Sequence, residues 1–119
     1  MEKQWKLRAS DDERVVCGAC VVADRPLRRM RGLLGRSGLQ EDEGLLLRPA
    51  PSIHTWFMRF PIDAVFLDRE LRVIDTASEV RPWRFASRRG ARAVLELSAG
   101  EAARRGIRAG MRLELEAAT

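Results

Sequence analysis

No apolar stretch in this chain approaches the roughly 18 residues that a membrane-crossing helix needs. The opening, Met1-Glu2-Lys3-Gln4-Trp5-Lys6-Leu7, lacks the positive patch and apolar run of a secretory signal, so the expected location is the cytoplasm. Histidine occurs once, as His54, and cysteine twice, as Cys17 and Cys20. That supply falls short of the about four ligands a structural zinc requires, and neither a metal nor a cofactor is expected. No serine or cysteine sits in a nucleophile elbow. A phosphate loop, a dinucleotide glycine pattern and a paired metal-histidine spacing are all missing. There are no internal repeats and no low-complexity segments. These absences argue against the common catalytic machineries more firmly than any motif argues for one.

What is present describes one soluble domain, spanning residues 1–119, at 45% hydrophobic and 33% charged residues. The formal charge is +5, but the arginines run from Arg8 to Arg112 and are mixed with Asp and Glu. A nucleic-acid surface usually shows as a clustered basic face, so nucleic acid is not the expected partner.

Cys17 and Cys20 form a CxxC flanked by Val15-Val16 and Val21-Val22. On a regular strand positions i and i+3 face opposite sides, so the thiols diverge unless Gly18-Ala19 makes a tight turn. Two small core cysteines are the reading preferred over a redox pair.

Trp5-Lys6-Leu7-Arg8 alternates as a first, edge strand, followed by a turn through residue 12. Asp24 reads as a helix N-cap with Pro26 in the first turn. Leu27, Met30, Leu33 and Leu34 supply the stripe of that helix and Gly35 its stop. Leu45-Leu46-Leu47 reads as a short strand. The apolar run from Ile53 to Phe60, with no clean alternation, reads as a central strand covered on both faces, continued by Ala64–Leu67. Asp68-Arg69-Glu70 turns the chain into Leu71–Asp75. Pro82-Trp83-Arg84-Phe85 is a loop with two exposed-looking aromatics. Ala91–Leu97 is a strand, and Ser98-Ala99-Gly100-Glu101 has capping-box spacing for a short second helix. Met111, Leu113 and Leu115 mark a half-buried last strand. Many strands and two short helices predict a mainly-β single domain, a jelly-roll-like sandwich or a distorted barrel.

The order of these pieces resembles the bacterial and archaeal family called domain of unknown function 192. Three motifs carry the likeness: Arg29-Met30-Arg31-Gly32-Leu33 closing the early helix; Pro61-Ile62-Asp63 with Phe66-Leu67-Asp68; and Val94-Leu95-Glu96-Leu97-Ser98-Ala99-Gly100 followed by Gly106-Ile107-Arg108-Ala109-Gly110. The likeness runs from about residue 21 to about residue 115. It implies a compact, jelly-roll type of fold and brings no established activity. Many members carry Trp-Met-Lys-Asn-Thr where this chain has His54-Thr55-Trp56-Phe57-Met58, so His54 is unsuited to be a catalyst obligatory for the family.

The run from Ile53 to Asp68 embeds His54, Arg59 and Asp63 in apolar surroundings, where an unpaired polar group costs on the order of 1–3 kcal/mol. His54 is a candidate base or ligand, or else a neutral imidazole hydrogen-bonded at the core's rim. Asp63 is a candidate partner for His54, or else an acceptor for backbone N–H groups at a strand bend. Arg59 needs an internal carboxylate or an anionic ligand. Arg29 and Arg36 are placed to widen an anion pocket, and Trp83 with Arg84 to wall a cleft. Glu96 and Glu101 are read as flanking a cap. The expected function is non-catalytic binding of a polar or anionic ligand, or of a protein partner, near His54, Arg59 and Asp63. A His54/Asp63 acid–base hydrolase or lyase and an accessory component of a cell-envelope or secretion assembly, the latter suggested by anchored relatives, are the alternatives.

Overall fold

The computed structural model describes residues 4–23, 38–40, 42–56 and 58–117. Among the described residues nine strands and one short helix follow in order: β1 (Gln4–Ala9), β2 (Val15–Ala23), β3 (Glu43–Leu47), β4 (Ser52–His54), β5 (Ile62–Leu67), β6 (Val73–Val80), β7 (Phe85–Ser87), β8 (Ala93–Ser98), α1 (Glu101–Arg104) and β9 (Leu113–Ala117). The mainly-β expectation holds. The helix expected from Asp24, with Arg29 and Arg36, lies outside the described residues.

Seven strands form one sheet in the order β6-β5-β8-β3-β2-β1-β9, and β4 and β7 form a second, two-stranded one. The ends of the large sheet meet. Arg72 and Arg112 bridge β6 to β9, Val73 N–H donates to the Met111 carbonyl at 2.7 Å, and Leu113 N–H donates to the Leu71 carbonyl at 2.9 Å. The junction is confined to residues 71–73 and 111–113, and beyond it β6 and β9 remain the outer strands of the sheet. Of the two layouts expected, the described strands make the barrel. β1 is not an edge strand, because β9 covers it along Trp5–Ala9.

The run expected as a central strand divides in two. β4 stops at His54, and the strand buried on both faces is β5, held between β6 and β8. Burial alternates through the first part: Ile53 and Thr55 are buried while His54 and Trp56 are exposed. After the turn Met58 and Phe60 are buried and Arg59 is exposed. Hydropathy hides this alternation because a tryptophan occupies an outward position.

β5 and β8 serve two cores, since successive side chains leave a strand on opposite faces. Val65, Leu67, Leu95 and Leu97 join Leu7, Val16, Leu46 and Leu113 inside the barrel. Ile62, Ala64, Phe66 and Val94 join Leu45, Leu47, Ile53, Met58 and Phe60 in a second, outer core. The small β4–β7 sheet contributes Ile53 and Ala86 to that outer core.

Against Trp5–Leu7 the second strand uses Cys17–Cys20, one residue more than its partner. This β-bulge shifts the alternation, so Cys17 and Cys20 both point into the barrel as free thiols, with no turn at Gly18-Ala19. Their hydrogen bond to each other holds Cys17 below the ordinary thiol value and, with burial, pushes Cys20 above it.

No helix among the described residues is long and apolar enough to cross a membrane.

Candidate functional site

β4 and β7 pair antiparallel, with Ile53 opposite Ala86 and His54 opposite Phe85. Because Ile53 and Ala86 turn to the outer core, His54 and Phe85 are set side by side on the solvent face. The next residue, Thr55, fixes what lies beyond. It is fully buried. Its hydroxyl donates to the Arg81 carbonyl at 2.6 Å and accepts the Arg84 N–H at 2.8 Å. Its own N–H donates to the Arg84 carbonyl at 2.8 Å, and its carbonyl accepts the N–H groups of Trp83 and Met58 at 3.0 and 3.2 Å. One threonine thus clamps the turn at 81–84 onto the turn at 55–58.

The clamp presents rings to solvent. Trp56 lies against His54 with ring centroids 4.8 Å apart, close enough for a stacking contribution. Trp56, Trp83 and Phe85 are 48%, 56% and 65% exposed, and among the described residues the only other large hydrophobic side chain so exposed is Val15. Scattered exposed apolar groups are ordinary, whereas a cluster marks an interaction surface. Trp83 also has φ = 67°, a left-handed backbone that is a genuine outlier for a bulky side chain. Such strain concentrates at sites of function.

The charge of this lip is one-sided. Neither segment 51–62 nor segment 80–95 contains an aspartate or glutamate, while Arg59, Arg81 and Arg84 are all exposed there. Arg88 is occupied elsewhere, paired with Asp75 at 2.7 Å and lying over the Phe66 ring.

The structure brings the segments of His54 and Trp83 together at the lip through the Thr55 carbonyl and the Trp83 N–H, with Arg59 exposed further along the first of them. It places Asp63 apart from them. Asp63 is 1% exposed. Its Oδ1 accepts the Glu79 N–H at 2.9 Å, and its Oδ2 accepts the N–H groups of Gly100 and Ala102 at 3.1 and 2.9 Å. Asp63 is therefore the acceptor at the start of α1. The capping box expected of Ser98 does not form: the N-cap is Gly100, with no capping side chain from its own segment, and the Ser98 hydroxyl donates to the Leu39 carbonyl. Glu101, also buried, pairs with Arg105 at 3.1 Å and Arg104 at 3.2 Å. No hydrogen bond joins Asp63 to His54 among the described residues, and an acid–base pair needs that reach, directly or through a shared substrate.

Reading by pattern missed Trp56, concealed inside an apolar run, and took Glu96 only as flanking a cap. Glu96 is 5% exposed on β8, opposite Leu45 and Ala64 of the outer core. Burial pushes its carboxyl up to about 8. The signal available was an acid in the strand segment Val94-Leu95-Glu96-Leu97, a position with no room for a solvated charge. Among the described residues, no group of three or more His, Cys, Asp or Glu side chains converges to hold a metal ion.

The fold and the lip define a small rolled β domain with an exposed aromatic surface. Residues 7–115 match the family model DUF192, described as an uncharacterized ACR, and the chain belongs to that family. It is 34% identical over 92 residues to a UPF0127 protein of Thermococcus sibiricus (strain DSM 12597 / MM 739), covering 73% of this chain and 59% of that protein's length. Two crystal structures share the fold. One is a protein of unknown function from Novosphingobium aromaticivorans DSM 12444, with a TM-score of 0.79 and 24% identity, covering 93% of this chain and 83% of the other. The second, from Sinorhizobium meliloti 1021 and described as a "putative transcription regulator", has a TM-score of 0.81 and 24% identity, covering 97% and 94%. At that identity the likeness is one of fold alone.

Proposed function

We propose that this chain is a non-catalytic binding domain whose ring-bearing lip docks an acidic segment of a protein partner. The observation that carries this reading is the cluster His54, Trp56, Trp83 and Phe85, exposed together on a support that Thr55 makes rigid. Tryptophan and arginine are the residues that dominate binding energy at protein interfaces, and both are here. The absence of carboxylates from both lip segments selects a partner of negative charge. The His54/Asp63 enzyme reading has no comparable support, since Asp63 is held by three backbone N–H groups.

The test is an array of 12-residue peptides of graded charge, probed with the labelled protein and its Trp56→Ala, Trp83→Ala and Arg84→Ala variants. Acidic peptides bearing apolar residues are expected to bind the wild type, and each lip variant to bind them at least tenfold more weakly. Selection indifferent to peptide charge, or unaltered in the lip variants, overturns the proposal. If instead oligothymidylate binds, with affinity falling steeply with salt and lost in Trp56→Ala, single-stranded nucleic acid replaces the acidic peptide.

A further inference from the structure

A separate concavity lies where the ends of β3 and β5 and the start of β8 meet. It is a cleft of about 410 Å³, walled by Pro49, Leu71 and Ala93 and rimmed by Arg48, Arg69 and Arg92. Its geometry is set by main chain. Arg92 N–H donates to the Leu67 carbonyl at 2.8 Å, and the Arg92 carbonyl accepts the Ala50 N–H at 2.9 Å, while Arg48 N–H donates to the Ala23 carbonyl at 3.1 Å. Arg48 and Arg92 are thereby fixed beside one space without using their side chains to do so, and Arg69 adjoins them from the turn after β5.

Among the described residues Asp68 is the one carboxylate of the lining. It is engaged in the turn after β5, where its Oδ1 accepts the N–H groups of Glu70 and Arg72, both at 2.9 Å. Leu71, on the apolar wall, has φ = 64°. That left-handed residue follows the turn closed by the Leu71 N–H on the Asp68 carbonyl, as in a short hairpin loop, and Leu71 lines the cleft from there. Among the described lining residues three positive charges against one acid leave a surplus of two. Guanidinium forks match the paired oxygens of phosphate and carboxylate, and the match is shape-specific as well as electrostatic.

We propose that this cleft binds a small phosphate monoester, the dianionic head held by Arg48, Arg69 and Arg92 and an apolar body resting on Pro49, Leu71 and Ala93. The site is independent of the lip, and failure of one reading leaves the other standing.

The experiment is titration of the isotope-labelled full chain with phenyl phosphate and with inorganic phosphate, followed by amide shifts. Phenyl phosphate is expected to move the amides of Arg48, Arg69, Leu71 and Arg92, to saturate, and to bind at least threefold more tightly than inorganic phosphate. Arg69→Ala and Arg92→Ala are each expected to weaken phenyl phosphate binding at least tenfold. The main-chain hydrogen bonds of residue 92 survive its truncation, so the variant should keep the dispersed spectrum of the folded chain. Arg92→Lys, which keeps charge and loses the fork, should fall between, and Arg108→Ala, outside both the cleft and the lip, should bind as the wild type does. Equal affinity for the two probes, shifts scattered over arginines outside the cleft, or unchanged binding in both Arg69→Ala and Arg92→Lys overturns the proposal.

Discussion

The buried polar residues Thr55 and Asp63 and the exposed residues of the lip come from the same stretch of chain, yet they behave oppositely. Thr55 and Asp63 direct all their hydrogen-bonding capacity inward, the first to the turn at 81–84 and the second to α1 and Glu79. His54 and Trp56 contact each other and face solvent. A buried polar group without a partner is costly, whereas an exposed one is solvated by water. Burial therefore forces the first pair into structural roles and leaves the second free for contacts outside the molecule. Polarity within an apolar run thus marks two kinds of residue, and only accessibility tells them apart.

The largest effect that would sharpen this contrast is expected from Asp63→Ala. It strands three backbone N–H groups, each costing about 1–3 kcal/mol when buried and unsatisfied. A loss of roughly 3–6 kcal/mol in urea unfolding is expected, a large share of the stability of a domain this size. A loss under 1 kcal/mol would move Asp63 out of the supporting class.

Glu96 comes next. Its folded value of about 8 lies above the ordinary 4.5, so the folded state keeps a proton that the unfolded state gives up. Stability is then greatest below the ordinary carboxylate range, falls as pH rises toward about 8, and stays reduced above it. At roughly 1.4 kcal/mol per unit the penalty at high pH amounts to a few kcal/mol. Glu96→Gln should flatten this slope and unfold at higher urea than the wild type at pH near 9, where most of the wild-type carboxyl is ionised. A slope that persists in the variant would point to another group.

Thr55→Val is isosteric apart from the hydroxyl, and should cost about 1–3 kcal/mol. It should also loosen the 81–84 turn, seen as faster hydrogen exchange at the amides of Trp83 and Arg84. Unchanged exchange there would mean that the small sheet alone holds the lip.

The smallest effect is expected on the exposed side. Trp83→Ala and His54→Ala should alter stability by no more than about 0.5 kcal/mol, as surface substitutions do. If Trp83→Ala destabilises as much as Thr55→Val, the contrast between the two regions fails and the lip belongs to the core.

Much of the fold was legible. The strand at Leu45–Leu47, the hairpin through Asp68, the strand at Ala91–Leu97 and the alternation of Leu113 and Leu115 all carry local patterns, and the structure has strands or turns at each. The bulge that faces Cys17 and Cys20 inward was not legible, because one extra residue in β2 has meaning only against the register of β1. The cap of α1 was not either. Spacing pointed to Ser98, but the acceptor comes from Asp63, 37 residues from Gly100. At the site, His54, Arg59 and Trp83 drew notice as chemistry out of place. Trp56 did not, since a tryptophan in an apolar run looks like core until its exposure is known.

The sequence by itself determined the class of this protein: short apolar segments bounded by Gly, Pro and Asp can satisfy their backbone only as strands and turns. It also determined which motifs place the chain in its family. Tertiary structure alone decided where the barrel closes, which polar groups are buried, and that rings from two segments some thirty residues apart share one surface. The physical reason is that periodicity is local, while burial and pairing depend on what the rest of the chain brings opposite.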